Sequence, residues 1–104
     1  MIGELEKKFV NRSLNSGEIS SSGPAVIEFE RKWAKYCNRK YGVSVSNGTV
    51  ALQLSLKVLG LKKNDEIIMP SNTIISCAMA AIYNQLKIVP VDCHKENWCI
   101  DESK

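Results

Sequence analysis

Apolar and polar positions along this chain change their spacing several times, and each change marks an element. Met1 to Arg12 is a short charged amphipathic piece. "NSGEISSSGP" follows, and its Gly and Ser content reads as loop. Pro24 suits the first turn of a helix, where its missing N–H has no helical partner. From there Val26, Phe29, Trp33, Ala34 and Cys37 recur at helical spacing, with Glu28, Glu30, Lys32 and Lys35 between them. This stripe is expected to pack in a core, and Gly42 to mark the helix stop. "VSVS", Val43 to Ser46, alternates and is β-branched, which predicts a strand. Thr49 to Leu59 is apolar on most sides of a helical wheel, the pattern of a mostly buried helix, and Gly60 is its natural C-cap. "EIIMP" predicts a short strand ended by Pro70. "SNT" then offers capping groups to a helix over "IISCAMAAIYNQ". "KIVPVD" predicts a strand in which Pro90 argues for an edge or irregular position, and "NWCIDESK" trails off as polar chain.

The resulting order is helix, strand, helix, strand, helix, strand. It predicts an α/β fold, with right-handed helical crossovers and a parallel or mixed sheet. Residues 1–23 are expected to form an N-terminal segment and loop, and residues 24–104 an α/β domain. Ligands of such sheets bind beyond the carboxyl ends of the strands, where "SNGT" and "PSNT" are expected to lie.

"SNGT" carries the clearest chemistry. The first turn of a helix leaves backbone N–H groups without partners, and with the helix dipole they favour an anion, phosphate above all. Gly48 permits close approach of a ligand, and Thr49 adds a hydroxyl. The alternative is structural: Ser46 or Asn47 caps the helix and Gly48 relieves crowding. The pattern is neither a dinucleotide fingerprint nor an NTP-binding loop.

Composition narrows the classes. A chain of 104 residues supports one small domain, with 44% hydrophobic and 24% charged residues, as is ordinary for a globular protein. The net charge of +3 is scattered or mixed with acids, which predicts solvated faces and no nucleic-acid surface. Met1 to Arg12 lacks the apolar core of a secretory signal. The run from Thr73 to Tyr83 is too short to span a bilayer, so no membrane partner is expected. These features predict a cytoplasmic protein. Cys37, Cys77, Cys93 and Cys99 form no C-x-x-C pair and argue against disulfides. The Cys93, His94, Cys99 spacing fits no standard zinc finger, so no metal is expected and His94 reads as a surface loop residue.

From Ser16 to Asp101 the chain resembles the N-terminal segment of the DegT/DnrJ/EryC1/StrS family of pyridoxal-phosphate-dependent sugar aminotransferases, which includes some related dehydratases. The resemblance rests on "SSGP" before a helix containing "FE", then "YGVSVSNGTVAL", "LGLKKNDEIIMPSNT" and "PVDCHKENWCID", in the family's order. The "ENWCID" ending is most similar to the perosamine-synthase branch.

The resemblance implies the N-terminal part of the large domain of a fold-type I transferase, a partial three-layer sandwich with a mostly parallel sheet. It implies transfer of an amino group, usually from glutamate, to a nucleotide-linked keto-sugar. The implied cofactor is pyridoxal 5'-phosphate, and the implied assembly is a homodimer. The family's cofactor phosphate rests on the positions matching Gly48, Thr49 and Val50. Ile74 stands where the family usually places an aromatic residue over the pyridine ring. The lysine and acidic residue that the cofactor requires lie downstream in the family, and none of the eleven lysines here sits in such a motif. The chain is therefore expected to be the opening portion of a larger enzyme, inactive alone. Two alternatives stay open: a sugar dehydratase of the same family, and a non-catalytic α/β module that binds another phosphorylated ligand.

Overall fold

Two carboxylates near the N-terminus start the first helix. In the computed structural model, which describes residues 2–104, helix α1 covers Glu4–Ser16. The Gly3 N–H donates to Glu6 Oε2 at 2.7 Å, and Glu4 and Glu6 place negative charge at the positive end of the helix dipole. Gly17, at φ 72°, ends it, so the helix takes in Asn15 and Ser16, which the sequence had suggested as loop. The chain divides into two units, one running up to Ser44 and the other from Val45 to Lys104.

Helix α2, Pro24–Tyr36, begins at the proline as expected. It stops six residues before Gly42. Asn38 takes the left-handed conformation at φ 52°; its N–H donates to the Lys35 carbonyl, and the Arg39 N–H donates to the Ala34 carbonyl at 2.7 Å. That pair of bonds is the Schellman arrangement, which leaves no terminating role for Gly42. Gly42 instead permits a close approach: a Cβ there would lie 2.6 Å from the Glu30 carbonyl oxygen. Two residues on, the Ser44 N–H and hydroxyl both donate to Glu30 Oε1, at 2.7 and 2.9 Å. These bonds hold the Glu30 carboxyl below the usual carboxylate range.

Two expectations fail here. Val43 to Ser46 is not a strand: strands exist by pairing, no described segment pairs with these residues, and the Ser44 N–H is taken by Glu30. The helical stripe is not core either. Ala34 is buried, but Phe29, Trp33 and Cys37 are exposed. The chain returning through Gly42 and Ser44 covers only the Glu30–Ala34 face. The aromatic rings stack on one another at the surface instead, Phe29 on Trp33 and Trp33 on Tyr36.

In the second unit, helix α3 covers Gly48–Val58, strand β1 Glu66–Pro70, helix α4 Ile75–Tyr83 and strand β2 Lys87–Val91. β1 and β2 pair in parallel, from Glu66 opposite Lys87 to Pro70 opposite Val91, with α4 as the crossover. Pro90 lacks a donor for the ladder and sits in a strand that pairs on one side among the described residues, in keeping with an edge position. Lys87 Nζ meets Glu66 Oε1 across the pair at 2.6 Å, and the bond raises the lysine pKa. The small core contains Met69, Ala80, Ala81 and Leu86, where β1, α4 and the entry to β2 meet.

α3 is less buried than its sequence predicts: no residue of it is fully buried, because its packing partner in the unit is α4, on one side only. Asn84 ties the two helices together, donating from Nδ2 to the Gln53 carbonyl at 3.1 Å. Gly60, at φ 71°, follows α3 in the left-handed conformation, as expected of it. The end of the chain is more ordered than its polarity suggests. Cys93 and Ile100 form an antiparallel bridge, and the Asp101 N–H donates to the Asp92 carbonyl.

Candidate anion-binding site

Asn47 is extended, at φ −167° and ψ 171°, and caps α3: its Oδ1 accepts the Val50 N–H at 3.1 Å. The Ala51 N–H is taken by the Asn47 carbonyl. The amides of Gly48 and Thr49 are the first two of the helix, and among the described residues neither has an acceptor. A Cβ placed on Gly48 would meet no atom within 4 Å, so a side chain at this position would not be crowded. Of the two readings of "SNGT", the capping one is seen: Asn47 is the cap and engages Val50, while the amides of Gly48 and Thr49 are left without an acceptor among the described residues.

The Thr49 side chain locates this turn in the fold. Thr49 Oγ1 lies 2.9 Å from Ser76 Oγ, in the first turn of α4. α4 follows the carboxyl end of β1 through residues 71–74, so Thr49 is brought to the C-terminal rim of the parallel pair although no strand leads into it. Side chains in the first turns of α3 and α4 therefore touch, and the N-terminal end of a helix favours an anion. Ser71 stands on the same rim: its N–H donates to the Val91 carbonyl at 2.8 Å, and its hydroxyl is 3.5 Å from Asp92 Oδ1.

Ile74 does not lie within a helix core. It is the N-cap residue of α4, with no side-chain cap, and its side chain is 67% exposed. The expected capping by "SNT" is absent: Thr73 Oγ1 reaches only Cys77 Sγ, at 3.6 Å. Gly48, Thr49 and Val50 are consecutive, and Ile74 lies two residues before the serine that Thr49 touches. Ser76 was missed by sequence reasoning as a partner of Thr49. Its signal was a lone hydroxyl in the first turn of an otherwise apolar helix. The two open hollows of about 490 and 520 Å³ in the unit ending at Ser44 are lined by none of these residues. The candidate site is a set of donors on an open rim, not a cavity.

Away from the rim, His94 Nε2 lies 3.2 Å from Glu102 Oε2 and 3.9 Å from Asp101 Oδ1. This group contains neither Cys93 nor Cys99. The Ser103 hydroxyl and N–H donate to Asp101 and lower its pKa. No helix among the described residues is long and apolar enough to cross a membrane.

Fold and rim together define an α/β protein that gathers phosphate-compatible donors at the carboxyl edge of parallel strands. The chain belongs to the DegT/DnrJ/EryC1/StrS aminotransferase family, whose model matches residues 1–104. It is 42% identical over 93 residues to the GDP-perosamine synthase of Escherichia coli O157:H7, covering 89% of this chain and 26% of that protein. It superposes on an E. coli GDP-4-keto-6-deoxy-D-mannose-3-dehydratase with bound hydrated PLP, with TM-score 0.85 and 30% identity over 97% of this chain and 27% of that one. A Streptococcus pneumoniae protein assigned as a sugar aminotransferase, in its PLP form, gives TM-score 0.84 and 31% identity over 97% of this chain and 26% of that one. The chain thus spans about a quarter of the length of these relatives. The α/β class and the parallel strand pairing agree with the expected fold.

Proposed function

We propose that this chain supplies the cofactor-phosphate anchor of a PLP-dependent sugar aminotransferase that moves an amino group, from glutamate, onto a nucleotide-linked keto-sugar. The observation that carries the reading is the start of α3: two unpaired amides, Gly48 and Thr49, and one hydroxyl, grouped on the rim of a parallel pair. These donors suit the unprotonated oxygens of a phosphoryl group, which accept and do not donate. Val50 takes part more weakly in this reading, because its N–H is already held by Asn47. Ile74, exposed beside the same rim, would cover one face of the cofactor ring by dispersion, without the stacking that an aromatic side chain would add. When bound, pyridoxal phosphate supplies an electron sink that stabilises negative charge on the carbon undergoing amino transfer. Homodimer formation and a cytoplasmic location belong to the same reading.

The likeness to the dehydratase structure favours a second reading, a PLP-dependent sugar dehydratase with the same anchor. The complete protein, given ¹⁵N-glutamate and nucleotide-linked keto-sugars, separates the two. Labelled amino-sugar supports the aminotransferase, whereas loss of a sugar hydroxyl without label supports the dehydratase. The anchor itself is tested by equilibrium binding of pyridoxal phosphate to the 104-residue chain, with inorganic phosphate as competitor. Binding that phosphate displaces is the expected result; binding indifferent to phosphate contradicts the anchor.

A further inference from the structure

We infer that Ser76 is a positioning residue for the anion site: its hydroxyl donates to Thr49 Oγ1 and so turns the Thr49 proton towards the bound phosphoryl oxygen. The inference rests on the proposed phosphate site. Its ground is the 2.9 Å contact between the two half-buried hydroxyls. A hydroxyl has one proton and two acceptor positions. In a Thr49–Ser76 pair only one proton lies between the oxygens. If Thr49 supplies it, Thr49 has nothing left to donate to an anion. If Ser76 supplies it, the Thr49 proton is free for the ligand. An unprotonated phosphoryl oxygen cannot donate, so its arrival against Thr49 selects the second arrangement. The chain of bonds Ser76 to Thr49 to phosphate then polarises in one direction, which strengthens each link.

The surroundings of Ser76 fit this single task. It occupies the first turn of α4, among Ile75, Cys77 and Ala78, and Thr49 is its only side-chain hydrogen-bond partner among the described residues. The contact joins side chains in the first turns of α3 and α4.

A double-mutant cycle on the 104-residue chain tests this, with inorganic phosphate as the probe and the dissociation constant as the readout. Ser76→Ala is expected to weaken phosphate binding about fivefold, and Ser76→Thr, which keeps the hydroxyl, to restore most of it. In a Thr49→Ala background the same Ser76→Ala change is expected to have almost no effect, because there is no hydroxyl left to orient. A structural role exerted apart from Thr49 would give the same loss in both backgrounds, and a structural role exerted through Thr49 would shift the Gly48 and Thr49 amide resonances of the unliganded Ser76→Ala chain; either result would overturn the inference. Ser76→Cys, nearly isosteric but a weak donor, repeats the measurement if alanine loosens the helix junction. The two levels separate cleanly. Phosphate binding by the wild-type chain that is unchanged by Ser76→Ala rejects the positioning role alone. No phosphate binding by the wild-type chain rejects the anion site and the positioning role together.

Discussion

Helices α3 and α4 begin within one hydrogen bond of each other, yet by opposite means. α3 has a side-chain cap, Asn47, and a glycine as its first residue. α4 has no side-chain cap, and an exposed isoleucine stands at its N-cap position. The polar letters alone would have suggested two similar starts, "SNGT" and "PSNT". The difference teaches that a side-chain cap can engage one amide of a helix's first turn and leave its neighbours for an outside acceptor. Asn47 satisfies the third amide and leaves the first two for an outside acceptor. At α4 the polar residues turn elsewhere, and its contribution to the rim is a hydroxyl within the helix and an apolar surface before it.

That contrast can be broken at four positions. The largest effect is expected from Gly48→Asp. A carboxylate on the first residue of α3 repels phosphate, and affinity is expected to fall about a hundredfold. The same charge favours the helix dipole, so thermal stability is expected to hold or rise slightly, which calorimetric melting checks. Thr49→Ala removes one charge-assisted hydrogen bond and is expected to weaken phosphate about tenfold, measured by titration calorimetry. Asn47→Ala makes the start of α3 resemble that of α4. It is expected to cost about 1 kcal/mol of stability in urea unfolding, with a smaller loss of phosphate affinity than Thr49→Ala. Ile74→Ser makes the opposite exchange. Serine at the N-cap is expected to stabilise the chain by about 0.5 kcal/mol and leave inorganic phosphate binding unchanged. Pyridoxal phosphate, which has a ring to cover, is expected to bind a few-fold less tightly to that variant.

The legible parts of this fold were those fixed by local backbone chemistry. Pro24 at a helix start and Gly60 past a helix end are set by residues acting within one turn, and each falls where the pattern places it. Of the predictions that needed a distant partner, the parallel pairing of β1 and β2 held and two others failed. "VSVS" has the letters of a strand but nothing to pair with among the described residues, and the Phe29–Trp33 stripe has the spacing of a buried face but nothing lying on it. Gly42 was read as punctuation because glycine commonly ends helices. Its role, letting the chain pass the Glu30 carbonyl, depends on a contact twelve residues back in the sequence. The proposed site divides the same way. Gly48 and Thr49 are proposed from the helix-start pattern, and the family resemblance points to the same positions. The Ser76 contact, between residues 27 apart in sequence, emerged only once α3 and α4 were placed side by side.

The central claim is that the amides of Gly48 and Thr49 bind a phosphoryl group at the start of α3. Amide-resolved NMR of the ¹⁵N-labelled chain during titration with inorganic phosphate tests it most directly. The account predicts saturable shifts that are largest at Gly48 and Thr49, smaller at the capped Val50, and absent in Gly48→Asp. Shifts centred elsewhere, or no saturable response at these two amides, would contradict it.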